Sequence, residues 1–259
     1  MSLFDLTGKT ALITGATRGI GKAIATHMAA HGARVVISSR KAESCTEVAG
    51  EINAAGGQAF AHACHIGHKE ELQALVDATT DKWGQIDIVV CNAATNPTFG
   101  PSLKTSDEAF DKVIRTNLNS NVWLCNMTLP AMAQRKDGVI IIISSVGGFI
   151  GTALLGAYAI SKAADMQLAR NLAVEWGPHN VRVNCIAPGV IRTQFARALW
   201  ADPVRAAAIS RMYPLRRLGE PDDVAGTAVL LASRAGNFIT GQTIVIDGGG
   251  LISRGEPSE

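Results

Sequence analysis

A chain of 259 residues, 47% of them hydrophobic and 18% charged, can bury a large core and suits one large α/β domain. Its formal charge of +2 leaves no strong field for nucleic acid or an anionic membrane, so neither is expected as a partner. No apolar run approaches the roughly 20 residues needed to cross a bilayer. The five cysteines, Cys45, Cys64, Cys91, Cys125 and Cys185, are odd in number and irregular in spacing, which fits reduced thiols in a cytoplasmic protein. Residues 1–7 lack the basic and apolar regions of a signal peptide, and residues 254–259 lack a peroxisomal ending, in line with that location.

In chain order, Lys9–Ile13 reads as a buried strand that runs into Thr14-Gly15-Ala-Thr17-Arg18-Gly19-Ile20-Gly21 and then a helical pattern through Ile24 and Met28. Strand, glycine turn and helix in that order predict a dinucleotide site: glycines admit a pyrophosphate to the backbone, and the helix start offers oriented N–H groups. A second strand, Arg34–Ser39, ends at Ser38, Ser39, Arg40 and Lys41, where an acidic residue would bind the ribose hydroxyls of NAD. Hydroxyls and cations stand there instead, and Arg18 adds another. That set suits the 2′-phosphate of NADP, so NADP(H) is the expected cofactor and NAD(H) the alternative.

A helix over 42–55, a strand Gln58–Cys64 and a helix over 69–82 follow. His62, Cys64, His65 and His68 carry metal-ligand chemistry, but they crowd one short segment without paired ligand modules, so no metal site is expected. His65 stands where a strand-end side chain would meet an adenine. Ile86–Val90 is a fourth strand, ending in Cys91-Asn92-Ala93-Ala94, and a helix is expected from about Asp107 to Cys125, carrying Asn117. The run Val139–Ile143 is a strand buried on both faces, and Ala157–Trp176 a helix. Val181–Cys185 is a sixth strand, entering Pro188-Gly189-Val-Ile191-Arg-Thr193. Residues 190–215 suit a substrate lid, Pro221–Leu231 a helix started by proline, and Thr243–Ile246 a last strand. Strands alternating with helices predict a doubly wound, mostly parallel seven-stranded sheet with helices on both faces.

The chemistry concentrates at Ser145, Tyr158 and Lys162. A phenol and an ammonium at i and i+4 share a helix face, and the cation favours the phenolate. An unperturbed tyrosine titrates near pH ~10, so this help is what makes it an acid–base group near neutrality. Ser145, at the end of the Val139–Ile143 strand, can point into the crevice at the carboxyl ends of the strands. A Tyr-x-x-x-Lys pair alone would be an ordinary surface pair.

Together, Thr14-Gly15-x-x-x-Gly19-x-Gly21, Asn92-Ala93-Ala94, Asn117, Ser145, Tyr158-x-x-x-Lys162 and Pro188-Gly189 resemble the short-chain dehydrogenase/reductase family over residues 5–250. Asn92–Pro97, Ser38–Lys41 and Arg217–Pro221 look more narrowly like its NADP-dependent carbonyl and retinal reductase branch. The resemblance implies that Tyr158 is the acid for carbonyl reduction and the base for alcohol oxidation. It implies that Lys162 assists Tyr158 and holds the nicotinamide ribose, that Ser145 binds the substrate oxygen, and that Asn117 holds a relay water. It further implies cofactor contacts from Gly15, Thr17, Arg18, Gly19, Ile20, Gly21, Ser39, Arg40, His65, Ile66, Asn92, Ala93, Ala94, Pro188, Gly189, Ile191 and Thr193, besides Tyr158 and Lys162. Three positions depart from the family pattern: Cys91 stands where asparagine is common, Ala94 where glycine is common, and His65 where aspartate is common.

If the family geometry holds, the substrate pocket is lined by 94–100, 147–156 and 190–212. Phe149, Leu154, Phe195, Leu199 and Trp200 make those stretches apolar, so an apolar or aromatic ketone or aldehyde, with its alcohol, is the expected small-molecule substrate. An NAD-dependent alcohol or hydroxysteroid dehydrogenase and a 3-oxoacyl-carrier-protein reductase are the rival enzymes. A nucleotide-sensing regulator is the rival without chemistry, disfavoured by the intact Asn117, Ser145, Tyr158 and Lys162. The family also implies a homotetramer or dimer, packed through the Asp107 and Ala157 helices and the C-terminal strand.

Overall fold

The computed structural model describes residues 2–253; the expectation about the tail, 254–259, lies outside the described residues. Seven strands form its sheet: β1 (Thr10–Thr14), β2 (Arg34–Ser39), β3 (Gln58–Ala63), β4 (Ile88–Cys91), β5 (Gly138–Ile143), β6 (Val181–Pro188) and β7 (Thr243–Ile246). They lie in the order β3-β2-β1-β4-β5-β6-β7, and each neighbouring pair is parallel. The middle strands β1, β4 and β5 are buried at every position, as their uninterrupted apolar runs require when helices cover both faces.

Alternation along the strands divides their side chains between two cores. Ile13, Val35, Ile37, Val90 and Ile141 pack with α1 (Gly19–Ala30), α2 (Ala42–Ala54) and a helix, Pro221–Ala232, near the chain's end. Leu12, Val36, Val89, Ile140 and Ile142 pack on the other face with α3 (Lys69–Trp83) and two later helices. The chain leaves β1 on one side towards β2 and returns to β4 on the other, so the sheet has its switch point between β1 and β4, where open α/β sheets bind ligands.

The helix expected to end near Cys125 runs on to Arg135. It comprises α4 (Asp107–Ile114), a π-helical turn (Arg115–Asn119) and α5 (Ser120–Arg135). Pro130 lies inside it; proline removes one backbone donor, but burial of Leu124, Leu129 and Met132 outweighs that local cost. The next helix, α6 (Gly156–Trp176), crosses beside it. Sequence limits also shift at strand ends: β4 begins at Ile88 rather than Ile86, and β6 continues to Pro188. Residues 194–215, mixed by composition, form two short helices, α7 (Arg197–Trp200) and α8 (Pro203–Met212), before α9 (Pro221–Ala232). Among the described residues no helix is long and apolar enough to cross a membrane.

Candidate active site

At the carboxyl end of β1 the chain turns through Gly15 in a left-handed conformation, φ +66°, which a residue with a Cβ resists. At Gly21, a Cβ would sit 2.3 Å from the Gly15 carbonyl oxygen and 2.4 Å from Asn92 Nδ2, so only glycine lets α1 start against the loop. Asn92 supplies the clamp. Its Nδ2 donates to the Thr14 and Gly15 carbonyls at 2.8 and 3.1 Å, while Thr14 Oγ1 accepts from the backbone N–H groups of Asn92 and Ala93. The Asn92 amide therefore shapes the glycine loop itself. Thr14 is a fixing residue that pattern reading passed over, although it opens the motif.

Arg18 caps α1 at its start and is exposed, as are Arg40 and Lys41 just beyond β2. None of the three cationic heads pairs with a protein group among the described residues, whereas Arg217 forms a bidentate pair with Asp223 at 2.6 and 2.8 Å. Thr17, Ile20 and Ser39 are half-buried around the same crevice. This residue set fits a dinucleotide: a glycine cradle without Cβ bulk, a helix N-terminus with no acidic residue in its first turn, and unpaired cations beside it.

His65 is turned into its own loop, where Nδ1 accepts from the Gly67 N–H at 3.1 Å and the ring stacks on His68 at 4.5 Å. Glu71 receives the His65 N–H and His68 Nδ1, and its carboxyl is held below the usual range, first by the His65 backbone bond and then by His68. Ile66 is buried in the core with Cys64, so only its backbone is available to a ligand. Burial, and then the nearby Glu71, push the Cys64 thiol up to about 12. Among the described residues no three His, Cys, Asp or Glu side chains gather as a metal site.

The catalytic candidates meet at the ends of β4 and β5. Asn117, fully buried in the π turn, accepts the Thr95 N–H with Oδ1 at 2.8 Å and donates from Nδ2 to Thr95 O and to Ser161 Oγ, both at 3.0 Å. It thereby fixes the loop after Ala94 and ties the π turn to α6. Ser144 Oγ donates to the Lys162 carbonyl at 2.7 Å, pinning α6 to β5. Ser145 Oγ accepts the Gly147 N–H at 3.1 Å and keeps its own proton to donate. The Lys162 ammonium lies 5.8 Å from the Tyr158 ring centre, donates to Ile143 O at 2.8 Å and pairs with Asp165 at 3.0 Å. The Tyr158 hydroxyl engages no protein group among the described residues and is free for a ligand.

Over this cluster lies the 190–215 segment. The Phe195 ring sits 5.9 Å from that of Tyr158, and Trp200 Nε1 donates to Thr193 O. Thr193 packs on the glycine loop: a Cβ at Gly19 would lie 2.9 Å from its methyl. Phe149 and Leu154 are exposed, and Leu199 is half-buried. Ile191 differs in kind: its side chain is core, so only its backbone faces the crevice. Pro188 is buried at the end of β6, and the Gly189 N–H donates to Ile246 O. Tyr213 OH accepts the Val190 N–H at 3.0 Å and anchors the far end of the segment. No motif or spacing marks that anchor in advance.

A family model described as enoyl-(acyl carrier protein) reductase matches residues 15–250, which span both the glycine loop and the Tyr158 cluster. Dehydrogenase/reductase SDR family member 4 of Sus scrofa is 41% identical over 96% of this chain and 89% of its own. The chain belongs to the short-chain dehydrogenase/reductase family. Homo sapiens has a relative of the same description that is 39% identical over the same shares. Among solved structures, a 7α-hydroxysteroid dehydrogenase complexed with NADH and 7-oxo glycochenodeoxycholic acid is 37% identical, covers 99% of this chain and 98% of its own, and superposes with a TM-score of 0.92. A putative NAD(P)-dependent gluconate 5-dehydrogenase from Beutenbergia cavernae with bound NADP is 36% identical over 97% and 100%, also at 0.92. As a short-chain dehydrogenase/reductase, the protein is an oxidoreductase, and its solved relatives hold nicotinamide cofactors of both kinds.

Proposed function

We propose that the protein is an NADP(H)-dependent oxidoreductase that interconverts a ketone or aldehyde with its alcohol, using Tyr158 as the general acid and base. The observation that carries this reading is the Tyr158 hydroxyl: free of protein partners, beside a buried ammonium, beneath an apolar ring. A bound nicotinamide supplies or accepts the hydride. Tyr158 gives its proton to the carbonyl oxygen during reduction and takes it back during oxidation. Lys162 stabilises the phenolate left behind, and Ser145 donates to the same substrate oxygen, opposing charge that develops on it. The Asn117 carbonyl is the acceptor for a relay water, since a carbonyl that already receives one donor keeps a second lone pair.

The adenosine half of the cofactor is assigned to Gly15, Thr17, Arg18, Gly19, Ile20, Gly21, Ser39, Arg40, His65, Ile66, Asn92 and Ala93, the ribose beyond it to Ala94, and the nicotinamide half to Tyr158, Lys162, Pro188, Gly189, Ile191 and Thr193. Preference for NADP(H) rests on the unpaired Arg18 and Arg40 and on the lack of an acidic residue over 38–41. The relative that holds NADH favours a second reading, an NAD-dependent hydroxysteroid or alcohol dehydrogenase. Fluorescence titration with NADPH and NADH separates the two. Tighter NADPH binding, weakened roughly tenfold in Arg40→Ala while NADH binding stays unchanged, is expected for a lost charge-assisted bond. Equal or tighter NADH binding overturns the preference.

The substrate is assigned to Ser145, Tyr158, Phe149, Leu154, Phe195, Leu199 and Trp200, in one domain over 1–259 whose lid is 190–215. All five thiols are buried and free, which supports a reducing, cytoplasmic setting. Exposed Phe110, Ile160 and Val174 on α4 and α6 support assembly of copies into a tetramer or dimer.

A further inference from the structure

Lys162 and Asp165 are charged side chains of α6 that lie almost wholly out of water, at 2% and 0% exposure. Burying one charge is costly, and two are tolerated when they pair and their remaining hydrogen-bond positions are filled. The two side chains pair, the carboxylate oxygens are both filled, and among the described residues the ammonium keeps one N–H for a ligand. Asp165 Oδ2 accepts from Lys162 Nζ at 3.0 Å, and Oδ1 accepts from Asn121 Nδ2 at 2.9 Å. Both partners are donors, so the ionised carboxylate is the form that fits them. Asn121 Nδ2 also donates to the Asn117 carbonyl at 2.7 Å, and Lys162 to the Ile143 carbonyl at 2.8 Å. An unbroken chain of contacts therefore runs from the end of β5 through Lys162, Asp165 and Asn121 to Asn117.

We propose that Asp165 is a positioning residue of this active site: its carboxylate keeps Lys162 ionised and aimed while the site excludes water, and joins it through Asn121 to the Asn117 carbonyl. The inference rests on the reading of Tyr158 as the acid–base group, because Lys162 assists Tyr158 only while it carries its charge. Burial by itself would depress the lysine; the Asp165 charge, then Tyr158 and the Asp165 hydrogen bond, more than offset it and hold the ammonium above its ordinary value. Burial raises the Asp165 carboxyl, opposed by Lys162 and Asn121.

The groups packed around the pair add no competing charge. From β6, Cys185 donates Sγ to the Asp165 carbonyl, and its thiol is pushed far up by burial and then by Asp165. On β4, Cys91 is raised by its contact with Cys125 of α5 and by burial. Asn117, Asn121 and Ser161 are neutral, and Tyr158 completes the set. With Asp165 neutralised, the lysine loses the largest contribution that offsets its burial.

The chain has two tyrosines, so in a Tyr213→Phe background phenolate absorbance reads Tyr158 alone, without substrate or turnover. Asp165→Asn in that background is expected to raise the Tyr158 midpoint by roughly one pH unit, the scale on which a nearby charge moves a titrating group. Asp165→Glu, which keeps the charge, should restore the midpoint in large part. In the otherwise unchanged chain, Asp165→Asn should move the acid limb of the oxidation pH profile upward by the same amount. Should Asp165→Asn not fold, Asp165→Ser replaces it, leaving room for water. An unchanged or lowered midpoint in the neutral variant overturns the proposal. So does folding of Asp165→Glu alone with both neutral variants unfolded, since the pair would then serve the fold only. Full turnover by Tyr158→Phe would instead refute the acid–base reading, while the titration shift would still report on the pair.

Discussion

The two sides of the reaction space are built in opposite ways. On one side, Asn117, Lys162 and Asp165 are buried, and their side chains are held by Thr95, Ser161, Ile143 and Asn121 and by the Lys162–Asp165 pair within α6. On the other, the 190–215 segment presents Phe195 at 55% exposure in the turn before α7 and Met212 at 60% at the end of α8, and both helices are too short to stand alone. Contacts with neighbouring segments tie it down, the Arg192 N–H donating to the Gly219 carbonyl and the Leu215 N–H to the Gly248 carbonyl, while Tyr213 and Val190 close it on itself. The difference separates two tasks. Proton transfer needs fixed distances, which a satisfied buried network provides, whereas substrate choice needs a surface that can adapt to shape.

The sharpest way to break this comparison is Tyr158→Phe. It removes one hydroxyl that has no protein partner, so the fold and cofactor binding should persist while turnover falls by about 10²–10⁴-fold or below detection. Steady-state kinetics with a cofactor titration on the same preparation checks both halves; retained turnover would mean that the proton comes from elsewhere. Phe195→Ala should act on the adaptable side. Loss of a ring 5.9 Å from Tyr158 should raise KM for an apolar ketone several-fold and leave the melting temperature within a few degrees, because the ring is half in solvent. A fall in kcat with KM unchanged would place Phe195 among the fixed parts.

The smallest effect concerns the Arg217–Asp223 pair just beyond that segment. The Asp223 carboxyl is lowered to about 2, first by its hydrogen bonds from Arg217 and then by the Glu220 N–H. A carboxyl depressed by folding adds stability that is fully present above its unfolded value near ~3.9 and is lost as pH falls through about 2. Acid unfolding of Asp223→Asn should therefore show a flatter dependence between those limits, with little difference from the parent near neutrality beyond the weakened helix cap. Parallel acid titrations by circular dichroism would read it. Identical slopes would show that the Arg217 pair does not survive in solution.

Much of the fold was legible from the order of segments. Apolar runs such as Ile140–Ile143 have no polar face, which marks strands covered on both sides, and the glycines after Thr14 mark the turn into α1. The α4–α5 limit was misread at Cys125 because proline and asparagine lower local helix preference, while packing of Leu129 and Met132 carries the helix through to Arg135. In the site, residue type and spacing brought out Ser145, Tyr158 and Lys162, and the family resemblance added Asn117. Asp165 at i+3 from Lys162 and Asn121 at i+4 from Asn117 were within reach of the same helical spacing. They were passed over because a carboxylate on a helix is ordinarily solvated.

What the sequence determined by itself is the alternation of strand and helix, the glycine turn after β1 and the Tyr158–Lys162 helix face, all of which depend on neighbours within about one turn or one loop. What the tertiary structure alone decided is which polar groups lose water together. Asn92 closes on Gly15, Asn117 on Thr95 and Ser161, Asp165 on Lys162 and Asn121, and Tyr213 on Val190. Burial and partner are set by elements far apart in the chain, and they turn the same side chains from surface polar groups into fixed parts of a site.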